Sequence, residues 1–279
     1  MKILNSIFNI ILWVGIPYIL VTIATEKYGI GMGISVMILV LVALFLRFKP
    51  SIYTIMGKRK YFKDHDEGFK WLQKAYDTGK MVPQQSLIYA YLLIRDGHIA
   101  KAERLINSVL LNKKDMLTKQ NLLAADLNMA IIMWKKGDLK GAVEKMEYVY
   151  STGYRSTVHY GTLGIFYILN NQLDRALEFC LEAVEYNPSD ASIRDNLGLV
   201  YFRKGEIDKA EEIYRKLFED TNPEFIEAYY NYGMVLEKKG DLTAAAGYYR
   251  TALGCPEKFL STVKLGQADA ALSRVEQNL

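Results

Sequence analysis

The sequence predicts an all-α chain in which an N-terminal transmembrane helical hairpin precedes an α-solenoid of stacked helix pairs. Three observations carry this reading. Two tandem runs of 18 uncharged, largely apolar residues, 7–24 and 29–46, stand near the N-terminus. Turns containing Gly, flanked by small residues, recur at a spacing close to 34 residues over the remainder. Charge divides between the same two parts. Residues 1–63 hold eight Lys/Arg against Glu26 alone, a balance of +7, and residues 64–279 hold 27 basic against 30 acidic residues, −3. The overall +4 and the mean hydropathy near zero are therefore sums over unlike parts. With 51% apolar residues and two Cys, the composition excludes a disordered chain and a disulfide-stapled miniprotein.

As a helix, each apolar run is about 27 Å long, close to the hydrocarbon thickness of a bilayer. Pro17 and the glycines Gly15, Gly29, Gly31 and Gly33 are tolerated there, because neighbouring helices satisfy the freed backbone groups. Only residues 25–28 separate the runs, which makes a tight hairpin. The flank after the second run carries Arg47, Lys49, Lys58, Arg59, Lys60 and Lys63. Positive charge marks the cytoplasmic side, so the expected location is a plasma membrane, multi-pass, with the N-terminus and everything after residue 48 in the cytoplasm. A signal peptide ending at Thr22-Ile23-Ala24 is the alternative, and the second run would still leave the rest on that side. The six basic residues also offer a surface to anionic lipid headgroups, at about 1 kcal/mol each. Gly57-Lys58 is not a phosphate loop: Ile52 stands where that loop needs Gly, and Arg59 where it needs Ser or Thr.

Beyond the hairpin, Gly97, Gly137, Asn171, Gly205 and Gly240 mark five equivalent turns. Five residues after each lies Ala102, Ala142, Ala176, Ala210 or Ala245, and seven before each lies Ala90, Ala130, Gly164, Gly198 or Gly233. Successive turns are 40, 34, 34 and 35 residues apart. A small residue on each of two helices, twelve positions apart across a turn, lets the helices cross closely. Bulky residues such as Leu197, Tyr201, Tyr214 and Leu217 then fill the space between neighbouring pairs.

Leu163-Gly164, Tyr167, Ala176, Ala183 and Pro188 stand at the offsets of the tetratricopeptide repeat, and the chain resembles that family over about residues 50–260. The units from Ala191 and Ile226 follow the pattern closely, and those from Pro83 and Leu123 more loosely. The family's early Trp is missing, and six extra residues lengthen the second connection. The resemblance implies a right-handed solenoid with a concave inner surface. The expected division is a hairpin over 1–48, a basic juxtamembrane segment with a degenerate first repeat over 49–82, five units over 83–259 starting near 83, 123, 157, 191 and 226, and a capping helix over 260–279. In the degenerate repeat, a helix from 51 to 62 would start just after Pro50 and pair with one over 66–76.

Little in the sequence points to catalysis, and no enzyme, metal or cofactor is expected. His65, His98 and His159 fall in separate units without metal-ligand spacing, and Cys180 and Cys255 stand 75 residues apart. In the family the first helix of each pair lines the inner surface, at positions 2, 5, 6, 9, 12 and 13 of the unit. Position 6 reads Ile88, Asn128, Thr162, Asn196 and Asn231, and a column of Asn amides can hold an extended peptide by its backbone. Tyr91, Trp134, Phe202 and Tyr230 flank the column, and position 13 contributes Arg95, Lys135, Arg203 and Lys238. Position 2 does not reproduce the basic clamp with which some relatives hold a terminal carboxylate. The expectation is a membrane-anchored adaptor that binds a protein or peptide partner in its groove. Nucleic acid is not an expected partner of a domain at −3. The alternatives are a homo-oligomeric assembly pairing through Gly29 and Gly33, and a regulator that contacts a membrane protease or envelope synthase through the hairpin.

Overall fold

The computed structural model describes residues 11–112 and 114–279. These are all-α, with fourteen α-helices and no strand among the described residues. Two compact units form, residues 1–86 and 87–279.

In the first unit a π-helical turn, Ile11–Gly15, runs into α1 (Ile16–Tyr28), with Pro17 in the first turn, where no N–H is needed. Gly29, at φ +87°, reverses the chain into α2 (Ile30–Tyr61). Gly33 is buried against Thr25, leaving no room for a Cβ, so the Gly33 face read as a surface for pairing between copies is used within the hairpin. The start of the first expected span, residues 7–10, lies outside the described residues. Among the described residues α2 alone is long and apolar enough to cross a membrane, and almost none of its apolar stretch is buried.

The expected break at Pro50 does not occur. The second apolar run and the expected 51–62 helix are one helix of 32 residues, with Pro50 inside it. A Pro costs a helix interior about 3 kcal/mol, and packing outweighs it here. The C-terminal part of α2 lies against α3 (His65–Asp77), with Gly57 over Leu72 and Tyr61 over Gly68, and the Lys60 ammonium meets Glu67. Asp64 caps α3 by accepting from the Glu67 N–H at 3.0 Å.

The second unit stacks five helix pairs: α4 (Pro83–Arg95) with α5 (Ile99–Asn112), α6 (Lys119–Lys135) with α7 (Leu139–Ser151), α8 (Thr157–Leu169) with α9 (Leu173–Tyr186), α10 (Ala191–Arg203) with α11 (Ile207–Asp220), and α12 (Ile226–Lys239) with α13 (Leu242–Leu253). All five turn residues are left-handed, including Asn171 at φ 57°, the side chain after Gly that tolerates this region best. The acid that follows the turn Gly has a function of its own: Asp138 and Asp241 cap α7 and α13, accepting the Gly141 and Ala244 N–H groups at 2.9 Å. The ten small residues are buried, and Gly198 and Gly233 lie flat against the rings of Tyr214 and Tyr249. Each first helix from α8 onward also packs on the next first helix, α8 on α10 and α10 on α12.

Two boundaries differ from expectation. The second unit's helix begins at Lys119 rather than near 123, because Thr118 and Asn121 form a reciprocal capping box. The last helix, α14, is Leu265–Glu276 and not 260–279. The chain at 254–264 is irregular: Pro256 interrupts it, a turn closes over residues 258–261, and the Gln267 side chain accepts the Lys264 N–H at 2.8 Å to start α14.

Candidate functional site: the inner cleft

The Asn column is committed to the stack itself. Asn128, Asn196 and Asn231 are only 6, 5 and 3% exposed. Asn128 Nδ2 donates to the Leu87 carbonyl at 3.0 Å and Asn196 Nδ2 to the Gly161 carbonyl at 2.8 Å. Asn231 Nδ2 donates to Asp195 Oδ1 at 3.0 Å. Each acceptor belongs to the preceding pair, so these amide donors join neighbouring pairs. Thr162 at the same position donates to the Val158 carbonyl of its own helix at 2.7 Å. The expectation of an open Asn ladder fails for a physical reason: first helices close enough to pack bring one helix's amide against a carbonyl or carboxylate of the preceding one.

Asp195 is the centre of the last junction. It is 4% exposed, and its Oδ1 accepts from both Asn231 and the Tyr214 hydroxyl, the latter at 2.9 Å. Burial pushes its carboxyl up to about 7, against the pull of those two donors.

Asp195 also borders a cleft of about 350 Å³ on the inner surface. Its walls come from positions 2 (Ser192, Glu227), 5 (Gly161, Asp195), 6 (Asn196), 9 (Tyr91, Ile165) and 13 (Arg95) of the first helices. The fourth side is Lys258 with residues 260–262 of the irregular segment, which sequence periodicity could not locate because it has none. Of the expected groove residues, Tyr91 and Asn196 line this cleft. Trp134 stands apart from it, tilted against Phe166 with ring centroids 5.2 Å apart and the Lys135 ammonium 4.0 Å over its ring. Phe202 and Tyr230 pack against the core of the last pairs.

Two adjacent columns of cations behave differently. At position 14, Lys136 pairs with Glu103 at 2.6 Å, Lys204 with Asp174, and Lys239 with Asp208 and Glu211 at 2.8 and 2.5 Å. In every case the acid belongs to the preceding pair. At position 13, Lys135, Arg203 and Lys238 have no carboxylate partner among the described residues, and Arg203 and Lys238 are exposed. In the first unit Lys60 is committed to Glu67, Arg47 lies 5.6 Å over the Trp13 ring and Lys49 5.5 Å over Tyr53. Lys58, Arg59 and Lys63 are exposed and without an ion pair among the described residues.

The remaining candidate groups have structural surroundings. His159 is buried and its Nε2–H donates to the Met146 carbonyl at 3.0 Å, and burial pushes its pKa down. Both cysteines are free thiols, and burial pushes Cys180 up to about 12, far from a nucleophile. Among the described residues no three His, Cys, Asp or Glu side chains gather as a metal site.

A family model described as tetratricopeptide repeat matches residues 162–220 and 196–258. Among solved structures, a tetratricopeptide repeat protein of Parabacteroides merdae superposes with a TM-score of 0.62 at 13% identity, over 93% of this chain and 99% of that one. A thermophilic tetratricopeptide repeat protein of Thermus thermophilus superposes with a TM-score of 0.54 at 22% identity, over 70% of this chain and 99% of that one. At these identities both show the fold alone. The BBSome complex member BBS4 of Bos taurus is 29% identical over 102 residues, 34% of this chain. The aligned stretch is 18% of that relative's length. Residues 162–258 therefore carry tetratricopeptide repeats, and the fold is that of tetratricopeptide repeat proteins.

Proposed function

We propose that this repeat-bearing chain is a membrane-anchored adaptor, holding a segment of a partner protein on its inner surface and keeping that partner at the membrane. The observation that supports the groove reading is the difference between the two cation columns. Ion pairs of Lys136, Lys204 and Lys239 at position 14 tie their pairs to the one before, whereas at position 13 Arg203 and Lys238 are exposed without a carboxylate partner among the described residues and Arg95 lines the cleft itself. Cations held unpaired on a rim favour a partner segment that brings carboxylates or backbone carbonyls. The membrane reading rests on α2, whose exposed apolar residues, among them Ile34, Ile38, Leu41 and Phe45, make a contiguous surface that water does not tolerate. Past it, Lys58, Arg59 and Lys63 meet the headgroups, with the N-terminus and the repeats on the cytoplasmic side of a plasma membrane. Anchoring raises the partner's effective concentration without any new contact.

A photo-crosslinking residue at Ile165, inside the cleft, tests the groove reading against one at the exposed Tyr148 of α7. A distinct crosslinked partner from position 165 and none from 148 is the expected result; the same adducts from both positions refute it. For the anchor, the chain is expected to stay in the membrane fraction through alkaline carbonate extraction. A cysteine introduced by Lys238→Cys should react with an impermeant reagent only after cells are opened.

A further inference from the structure

After α13 the chain turns back over the inner surface before α14 begins. The Ser261 N–H donates to the Lys258 carbonyl at 3.0 Å, closing a turn that projects Phe259 and Leu260. Phe259 reaches the Gly97 turn of the first pair, where a Cβ would come within 3.0 Å of its Cδ2, and its ring lies 4.9 Å from the Lys135 ammonium. The Thr262 N–H donates to Glu227 Oε1 at 2.7 Å, and residues 260–262 wall the cleft.

The two ends of this segment are held very differently. From Val263 onward it belongs to the core, with Val263 buried beside Ile226, Ala252 and Ala268. Glu257 reinforces that end, pairing with Lys264 at 3.1 Å and accepting the Leu265 N–H at 3.1 Å. The tip is loosely held. Among the described residues it has one hydrogen bond to the first helices, that of Thr262, with ring contacts beside it; Ser261 is buried, but Phe259 is still 39% exposed. The closed tip also has a cost at Lys135. That ammonium is held between two rings without a carboxylate, and burial, with Lys264 nearby, pushes its pKa down to about 8.

We propose that residues 258–262 are a removable internal ligand of the inner cleft, and that the partner segment displacing them carries the same apolar chemistry: an aromatic ring and an aliphatic residue, with the backbone N–H two residues further on reaching Glu227. This rests on the groove reading above and specifies its ligand. Glu227 accepts a backbone N–H, which any non-proline residue supplies, so register comes from that bond and selectivity from the ring slot at Gly97. A short tether keeps the tip at an effective concentration in the millimolar range. A partner must therefore exceed the tip's contacts, and weak, non-matching segments are rejected.

The test uses the full chain in detergent micelles and a labelled synthetic peptide of residues 256–264 as the probe. The Phe259→Ala/Leu260→Ala variant is expected to speed exchange of the Thr262 amide at least tenfold while amides in α10 and α12 keep their wild-type rates. It should bind the peptide at least tenfold more tightly than the unaltered chain does, and a peptide with Ala in place of Phe should not bind. Three results overturn the proposal: unchanged Thr262 exchange, faster exchange without peptide binding, or loosening of α10 and α12 along with the tip, which makes the segment a brace. If the peptide fails while position 165 still crosslinks a partner, the internal-ligand proposal falls alone. If both fail, the groove reading falls with it.

Discussion

Replacing Asn231 by Ala should destabilise the stack in a pH-dependent way, whereas Asn196→Ala should not depend on pH. Asn231 donates to the carboxylate of Asp195, buried at 4% exposure and titrating near 7. A hydrogen bond to a charged group contributes about 1.5–3 kcal/mol and a neutral one about 1 kcal/mol. At pH 8.5 Asp195 is ionised, and losing the Asn231 donor should cost about 2–3 kcal/mol. At pH 5.5 it is protonated, and the loss should be nearer 1 kcal/mol. The sign follows from linkage. The folded pKa of Asp195 is raised from 3.8, so its contribution to stability is fully present below pH 4 and is lost as pH rises through 7. Removing a donor that lowers the folded pKa deepens that loss on the alkaline side. Asn196 donates instead to the neutral Gly161 carbonyl, so its loss should cost about 1 kcal/mol at both pH values. The assay is thermal unfolding followed by circular dichroism, where about 2–4 °C of Tm corresponds to 1 kcal/mol for a unit of this size. Asn231→Ala should then lower Tm by roughly 4–12 °C at pH 8.5 and by about 2–4 °C at pH 5.5. Equal shifts at both pH values, or shifts below 1 °C, would refute the assignment of this column to the stack.

Two further outcomes can be measured. Gly233→Ala places a Cβ 2.6 Å from Tyr249 Cε1, a fully buried ring anchored through its hydroxyl to Glu237 at 2.7 Å, and should cost about 1–3 kcal/mol of overpacking in chemical unfolding; an unchanged midpoint would mean that the ring has room to move. Changing Lys58, Arg59 and Lys63 together to Gln should weaken flotation of the chain with vesicles rich in phosphatidylglycerol by roughly two orders of magnitude at low salt, at about 1 kcal/mol per cation. Neutral vesicles should show no difference, and a loss that is equal on both would count against headgroup contact.

How far the sequence is legible depends on how far each interaction reaches along the chain. The turn column was visible because Gly97, Gly137, Asn171, Gly205 and Gly240 each answer a local demand for a left-handed backbone, and the Asp after Gly137 and Gly240 caps a helix only three residues further on. The paired small residues were visible because twelve positions separate them in every unit. Pro50 misled, because a local rule for ending helices met packing of α2 on α3 that outweighs it.

By itself, then, the sequence determined what is set within one helix pair: the helices, their turns, their caps and the small residues where they cross. It also determined the separation of a basic, apolar segment from a mildly acidic repeat. Tertiary structure decided what side chains do between pairs. The acceptors of Asn128, Asn196 and Asn231 lie 41, 35 and 36 residues away, so nothing near those residues marks them as structural. The same holds for Phe259, which folds onto Gly97 at the opposite end of the stack. A periodic pattern records which residues face inward. Only the stacked helices decide which of those faces meets its neighbour, which meets the chain's own tip, and which is left for a partner.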